Sequence, residues 1–167
     1  MTRAPIGDRY EPVRLPVQMA RRTHALLQTF EDTEGLVYWA GARDGRGGTV
    51  TTLVVPRAVA SYRRIETSLE ANSEVIETLT SHGIVLLGQA HSHPPGSPAR
   101  HSVGDDALTF SPFEGAVSVV VPDFAAGQCD PSSWGVHRFM GGSYRFITFK
   151  ARMDHLQILP GEVDHRR

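Results

Sequence analysis

Residues 84–105 read IVLLGQAHSHPPGSPARHSVGD, and this stretch decides both the fold and the place of a candidate site. Its first half is an apolar run that predicts a buried central strand, which ends at the histidine pair. Because side chains alternate along a strand, the imidazoles of His91 and His93 point to the same face and converge. The Pro-rich stretch that follows predicts a loop, and a short helix is predicted over residues 103–110, with Asp105 at its start.

Two imidazoles and one carboxylate are a ligand set that catalytic zinc sites use, with the fourth position open for water or substrate. Asp105 follows His93 by twelve residues, so it can fold back over the strand end and complete three ligands. Asp106 competes for the same role. A histidine pair at a strand end is common by itself, so the prediction depends on the complete pattern.

The segment from His91 to Asp105 resembles the JAMM motif of the JAB/MPN metalloproteases, H-x-H-P-x7-S-x-x-D, at every position. The resemblance implies that His91, His93 and Asp105 bind one zinc ion per chain, and its spacing selects Asp105 over Asp106. It implies a zinc-bound water as the nucleophile. For Ser102 it implies a hydroxyl that helps to stabilise the oxyanion, and the Ser-x-x-Asp pattern is also that of a helix N-cap.

The resembled family uses a glutamate upstream of the motif as general base, and the segment FEDTEGLVYWAG at residues 30–41 offers two. In the family pattern E-x-x-G-x-x-x-G the glutamate precedes the second glycine by seven residues, as Glu34 precedes Gly41. Val37 stands where the first glycine is expected. The pattern therefore selects Glu34. Glu31 stays the alternative, and an ordinary helix-end carboxylate is the alternative for both.

Three other histidines receive no place in the site. His101 lies in the Pro-rich loop and is predicted to be solvated, with a metal or substrate contact as the alternative. His24 lies on the first predicted helix, at the edge of the core. His137 alternates within a predicted strand and is given no role.

Elsewhere in the chain, hydrophobic periodicity predicts helices and strands in alternation. A helix is predicted over Leu15–Phe30, a hairpin from Leu36–Ala40 and residues 49–55, and a second helix between residues 58 and 82. Further strands are predicted at residues 116–121, 134–140 and 144–149, and the polar tail after them is left unassigned.

The family resemblance covers about residues 15–149. It implies an α/β fold in which one JAB/MPN-like (cytidine-deaminase-like) domain spans residues 1–167, with a polar C-terminal tail at residues 150–167. The implied architecture is a mixed, curved sheet flanked by helices, with the metal at the sheet edge.

Composition limits the function classes. The chain has 167 residues, a formal charge of -1, 40% apolar and 21% charged residues, which is ordinary for a soluble domain. Without a basic field, nucleic acid is not favoured as a partner, and a metal-dependent nuclease is disfavoured. Cys129 is the only cysteine, which excludes an internal disulfide and a multi-thiolate zinc site. No apolar stretch suits a membrane span or a signal peptide, so the sequence predicts a cytoplasmic protein.

The resemblance implies a zinc-dependent peptidase or isopeptidase that hydrolyses the bond after the C-terminus of a ubiquitin-like protein. Deconjugation and precursor processing both fit this chemistry. The implied partners are a ubiquitin-like protein or its conjugate, with E1-like and E2-like proteins of the same pathway. Two alternatives remain open: a zinc hydrolase of a small-molecule or sulfur-carrier conjugate, and a non-catalytic scaffold of the MPN type.

Overall fold

The computed structural model describes residues 10–102, 104–105 and 112–161. Twelve helices and strands follow one another in these ranges: β1 (Val13–Pro16), α1 (Val17–Gln28), β2 (Leu36–Asp44), β3 (Gly47–Val54), β4 (Ala58–Ser61), β5 (Arg64–Thr67), α2 (Leu69–Ser81), β6 (Val85–Ser92), β7 (Val117–Val121), β8 (Gly135–Met140), β9 (Ser143–Phe146) and β10 (Leu156–Leu159). Short 3-10 turns connect some of them.

Within the described ranges, eight strands form one sheet in the order β10-β1-β3-β2-β6-β7-β8-β9, and β4 and β5 form a separate hairpin. The sheet is mixed. Strand β1 runs parallel to β10 and β3, and β6 runs parallel to β7, whereas the other neighbours are antiparallel. The predicted α/β class with a mixed sheet is therefore confirmed, and so is the predicted β2–β3 hairpin.

Strand β2 separates two apolar cores because its side chains alternate. Val37 and Trp39 belong to the core that includes Leu27 of α1, whereas Tyr38 belongs to the core that includes Val75 of α2. Every residue from 36 to 40 is fully buried. Helices therefore cover both faces of the sheet, which is why this strand is apolar throughout instead of alternating with polar residues.

The sheet bends where β2 passes Gly41. The pairing register of β2 shifts between Ala40 and Gly41 against β3, and between Trp39 and Ala40 against β6. A Cβ atom at position 41 would lie 1.9 Å from the carbonyl oxygen of Thr49, so only glycine allows this close approach. Such a bulge bends a strand and increases its twist, and it curves the centre of the sheet.

The helix predicted over Leu15–Phe30 begins later than the prediction placed it. Leu15 and Pro16 belong to β1, and α1 runs from Val17 to Gln28. The prediction was wrong at this end because β1 is only four residues long and pairs with β3 and with β10, which lies near the other end of the chain. The local hydrophobic pattern of residues 13–16 does not indicate pairing with such a distant strand.

The second predicted helix is wrong in its first half, where β4 and β5 form the hairpin. Ile65 and the charged residues around it satisfy helical and strand spacing alike over so short a stretch. The helix α2 begins only after Ser68, whose hydroxyl caps it by accepting the Ala71 N–H at 3.0 Å. The hairpin matters for the site because its turn lies beside the segment before β2.

The tail that the sequence left unassigned contains β10, which extends the sheet beside β1. Arg138 is buried and ties the segments just before β1 and β10 to the sheet, since its guanidinium donates to the carbonyl oxygens of Glu11 and His155. Of the helix predicted over residues 103–110, only residues 104 and 105 lie among the described residues. Asp106 lies outside them. No helix in the described ranges is long and apolar enough to cross a membrane.

Candidate metal centre

The end of β6 brings three of the predicted site residues together. The Nε2 atoms of His91 and His93 lie 3.2 Å apart, and Oδ2 of Asp105 lies 3.2 Å from Nε2 of His93 and 3.5 Å from Nε2 of His91. All three side chains are buried. Among the described residues, these three form a group of histidine, cysteine and acidic side chains close enough to hold one metal ion.

The spacing of these atoms fits a tetrahedral metal ion. Zinc bonds of about 2.0–2.1 Å to nitrogen and oxygen place the ligand atoms of a tetrahedron about 3.3–3.4 Å apart. The separations between His91, His93 and Asp105 are 3.2–3.5 Å. Two neutral imidazoles and one carboxylate also match the donor types of such sites. The three side chains can therefore supply three corners of a tetrahedron without rearrangement.

His93 is oriented by a hydrogen bond at its second nitrogen. Its Nδ1 lies 2.9 Å from the carbonyl oxygen of Pro98, which can only accept, so Nδ1 carries the hydrogen and Nε2 keeps its lone pair. Burial lowers the pKa of His93, but the hydrogen bond and charge of Asp105, the Pro98 carbonyl and Glu34 raise it above its ordinary value. Nε2 of His93 therefore takes up a proton more readily than an ordinary imidazole when the metal is absent, and metal binding must displace that proton.

The backbone of His93 is held by the segment after β7. The His93 N–H donates to the Val121 carbonyl at 2.9 Å, and the Phe124 N–H donates to the His93 carbonyl at 2.8 Å. Asp123, Phe124 and Ala125 have φ angles of 56°, 52° and 58°. Residues other than glycine rarely adopt this left-handed region of backbone conformation. The resulting backbone strain persists only where the surrounding structure holds it. The turn thus fixes His93 one residue beyond β6.

Asp105 is held by the turn that begins at Ser102. The Ser102 N–H donates to Oδ2 of Asp105, and the Asp105 N–H donates to the Ser102 carbonyl at 3.2 Å. The first bond runs in the opposite direction to the predicted N-cap, since the acidic side chain reaches back to the serine backbone, as in half of a capping box. Burial raises the pKa of Asp105, but His91, His93 and this N–H hold it well below its usual range. The Ser102 side chain is exposed.

Glu34 lies close enough to His93 and Asp105 for their charges to act on its carboxylate, whereas Glu31 is exposed. Glu34 is 4% exposed, and its N–H donates at 2.9 Å to the Ser61 carbonyl at the end of β4. Burial raises the pKa of Glu34 to about 7; the charge of Asp105 adds to this, and those of His93 and Arg63 oppose it. The structure therefore brings to the centre the glutamate that the spacing to Gly41 selected.

Sequence reasoning missed Ser92, which contacts the segment that carries Glu34. Its hydroxyl oxygen accepts the Gly35 N–H at 2.8 Å, and its own N–H donates to the Gly35 carbonyl at 3.0 Å. Alternation along β6 was the available signal, because it places Ser92 on the face opposite to the two imidazoles. Nothing in the sequence indicated that this face meets Gly35.

The prediction that His101 is solvated is wrong. The His101 ring is partly buried and stacks on the His137 ring, with ring centroids 4.1 Å apart. The backbone N–H of His101 donates to Nε2 of His137 at 3.1 Å. Nε2 of His101 lies 2.7 Å from the Ser118 hydroxyl. Burial and the charges of His101 and His91 lower the pKa of His137 to about 3, so it is neutral.

The His101 ring, which stacks on the His137 ring, also packs against the ring of His91. The His101 ring meets the His91 ring edge to face at 5.3 Å, and Nδ1 of His91 has no hydrogen-bond partner in the described part of the chain. Packing therefore orients His91, whereas a hydrogen bond orients His93. Local sequence patterns carry no signal for this packing, because His101 and His137 lie 36 residues apart and meet only when the loop after β6 lies along β8.

Comparisons with known proteins point to one family. The chain is 33% identical to the probable metalloprotease y4jG of Sinorhizobium fredii, over 71% of this chain and 75% of that protein. Its fold is similar to that of protein DSY2949 from Desulfitobacterium hafniense (TM-score 0.64, 18% identity, 92% of this chain and 97% of that one). It is also similar to that of AF2198, a JAB1/MPN domain protein from Archaeoglobus fulgidus (TM-score 0.54, 16% identity, 89% and 98%). No family model matches the chain.

Proposed function

Because the chain belongs to the JAB/MPN metalloprotease-like family, we propose that this metal-dependent hydrolase is a zinc peptidase or isopeptidase. One observation carries the proposal: Glu34 is buried beside three ligand atoms that lie 3.2–3.5 Å from one another. A metal-binding scaffold needs the ligands alone. A buried carboxylate next to them is what proton transfer requires.

The side chains divide the chemistry among them. His91, His93 and Asp105 would hold zinc, which would supply a Lewis acid for the scissile carbonyl and lower the pKa of water. With a pKa of about 7 in the metal-free protein, Glu34 can take a proton from water near neutral pH and pass it to the leaving nitrogen. The Ser102 hydroxyl donates to the oxyanion, and losing one such donor raises the barrier by about 3 to 4 kcal/mol.

The substrate that we propose is the bond after the C-terminus of a ubiquitin-like protein, in a conjugate or a precursor. The supporting argument is the complete motif from His91 to Asp105, which resembles that of enzymes acting on such bonds. E1-like and E2-like proteins of the same pathway are the partners that this substrate implies. A small-molecule or sulfur-carrier conjugate, or a purely structural role, would be the outcome if such bonds are not cleaved.

Replacing Glu34 by glutamine tests the proposed base. Glu34→Gln keeps the size of the side chain but cannot take a proton, so we expect about one zinc per chain and a loss of at least ~100-fold in kcat. The substrates are a ubiquitin-like protein with a C-terminal extension and a small γ-glutamyl conjugate, and zinc content is measured by mass spectrometry. His91→Ala should lose the metal instead.

The outcomes separate the three readings of the site. Cleavage of the extension alone supports the peptidase, and cleavage of the small conjugate alone replaces it with the small-molecule hydrolase. Zinc binding without turnover of either substrate would indicate a scaffold. Wild-type turnover by Glu34→Gln would show that another group is the base.

A further inference from the structure

The last hydrogen bonds between β2 and β6 differ from those of a regular ladder. Leu36 and His91 are the last residue pair at this end of the β2–β6 register, and Gly35 and Ser92 lie opposite each other one step beyond it. In an antiparallel ladder, every second pair of opposite residues is hydrogen-bonded, and its two residues exchange N–H to carbonyl bonds in both directions. Here the Ser92 N–H donates to the Gly35 carbonyl at 3.0 Å, but the Gly35 N–H donates to the Ser92 hydroxyl oxygen at 2.8 Å.

Both residues of this last pair are enclosed. Gly35 is buried and Ser92 has no exposed surface. On the other side of Gly35 lies the Phe30 ring, and a Cβ atom at position 35 would come within 2.7 Å of that ring. In this buried place the Gly35 N–H has no solvent beside it to replace the Ser92 hydroxyl as acceptor, and losing a buried acceptor costs the desolvation of the donor.

The enclosed pair fixes the residue that precedes it. The Glu34 N–H is bonded to the Ser61 carbonyl at 2.9 Å, and the next N–H along the chain is bonded to Ser92. Two successive peptide groups are thereby tied to two different elements, the β4–β5 hairpin and β6. The backbone that carries the Glu34 carboxylate can change its direction only by breaking one of these bonds.

Ser92 is the last residue of β6 and stands between His91 and His93, but it faces away from their imidazoles because side chains alternate along a strand. Residues 91–93 thus supply two ligand atoms on one face and the acceptor for Gly35 on the other. A displacement of β6 would move the two histidines and the Glu34 segment together. The separation between the backbone of that segment and the two histidines is therefore set by residues 91–93.

We propose that Ser92 is a positioning residue, whose hydroxyl ends the β2–β6 ladder and holds Glu34 at a fixed distance from His91, His93 and Asp105. The proposal rests on the proposed function in one respect, namely that Glu34 acts as the base. Ser92 itself touches no reacting atom. Its removal should harm the chemical step and leave substrate binding and metal binding intact.

The kinetic test compares Ser92→Ala with a matched variant, both loaded with zinc. We expect Ser92→Ala to lose about 10- to 100-fold in kcat, the cost of a small displacement of a catalytic group, with KM within twofold of wild type. Ser92→Thr, which keeps the acceptor, should recover most of the loss. Thr23→Val is the matched variant: it also deletes a buried hydroxyl, which accepts the indole N–H of Trp39 at 3.0 Å away from the site, and it should keep the wild-type kcat.

Amide hydrogen exchange tests the same bond without activity. In the metal-free and zinc-loaded protein, Ser92→Ala should accelerate exchange of the Gly35 amide at least ~10-fold and leave the Trp39 amide unchanged. Ser92→Thr should restore protection, and Thr23→Val should leave Gly35 protected. If Ser92→Ala does not fold, Ser92→Cys takes its place in both measurements, because a thiol is a weak acceptor.

Three results would overturn the proposal. Wild-type exchange of the Gly35 amide in Ser92→Ala would show that the hydroxyl does not hold it, and faster exchange with an unchanged kcat would show that holding it does not position Glu34. A kcat loss shared equally by Thr23→Val would indicate general destabilisation and would also refute it. Failure of the proposed function has a different signature, namely an active Glu34→Gln variant, and leaves the exchange result interpretable.

Discussion

Glutamine in place of Glu34 is expected to stabilise the metal-free protein at neutral and alkaline pH. Burial raises the pKa of Glu34 from 4.5 to about 7, so the folded chain keeps a proton where the unfolded chain has released it. The free energy of unfolding therefore falls as pH rises from about 4.5 to about 7 and then stays level. Glutamine has no charge to bury and avoids this loss.

The size of the effect follows from the two pKa values of Glu34. One pKa unit corresponds to about 1.4 kcal/mol, so the full penalty on the Glu34 carboxylate is about 3 kcal/mol. Part of it already acts at pH 5, where the unfolded chain is mostly ionised. Between pH 5 and pH 8 we therefore expect the stability advantage of Glu34→Gln to grow by about 2 to 3 kcal/mol.

Urea denaturation of the metal-free proteins measures this advantage. The free energies of unfolding of wild type and Glu34→Gln are compared at pH 5 and pH 8, with a chelator present throughout. Titrations common to both proteins, such as those of Asp105 and His93, largely cancel in the difference. Glu31→Gln, which removes an exposed carboxylate nearby, should show no such growth. An advantage that stays constant, or shrinks, would refute the burial of the Glu34 charge.

Two further predictions concern the metal and the loop behind it. Zinc at a thousand times its dissociation constant should stabilise the folded chain by about 4 kcal/mol and raise the Tm by about 10 °C, and His91→Ala should show no shift in differential scanning fluorimetry. An equal shift in that variant would place the metal elsewhere. In Gly135→Ala, the new Cβ would lie 1.6 Å from the Ala99 carbonyl oxygen, so the loop must move. Because the neighbouring Pro98 carbonyl orients His93, we expect zinc affinity, measured by chelator competition, to fall about 10- to 100-fold; unchanged affinity would contradict this.

The sequence predicted the metal centre better than the elements around it, for a physical reason. His91 lies on β6 and His93 directly follows the last residue of that strand, so alternation places their side chains together. The spacing of seven residues to Gly41 selected Glu34, which the structure buries near His93 and Asp105, and its role as the base stays a prediction. Residue spacing along a short segment can be read directly from the sequence, and the positions of His91, His93 and Glu34 depend mostly on such spacing.

What the sequence did not predict depends on contacts between distant segments. The stack of His101 on His137 forms only when the loop after β6 lies along β8, and the role of Ser92 depends on which backbone lies opposite it. Strand β1 and the β4–β5 hairpin are four-residue strands whose spacing also satisfies a helix. In such stretches tertiary pairing decides, and local periodicity does not.

The parallel pairing of β10 with β1 limits how far the C-terminus can be shortened. A chain that ends at residue 149, where the sequence pattern placed the end of the core, would lack β10 and leave Val13–Pro16 at the margin of the sheet. The unpaired N–H and carbonyl groups of β1 would then offer a template for a strand from another molecule. Such a shortened chain should aggregate on expression even though every residue of the metal centre is still present.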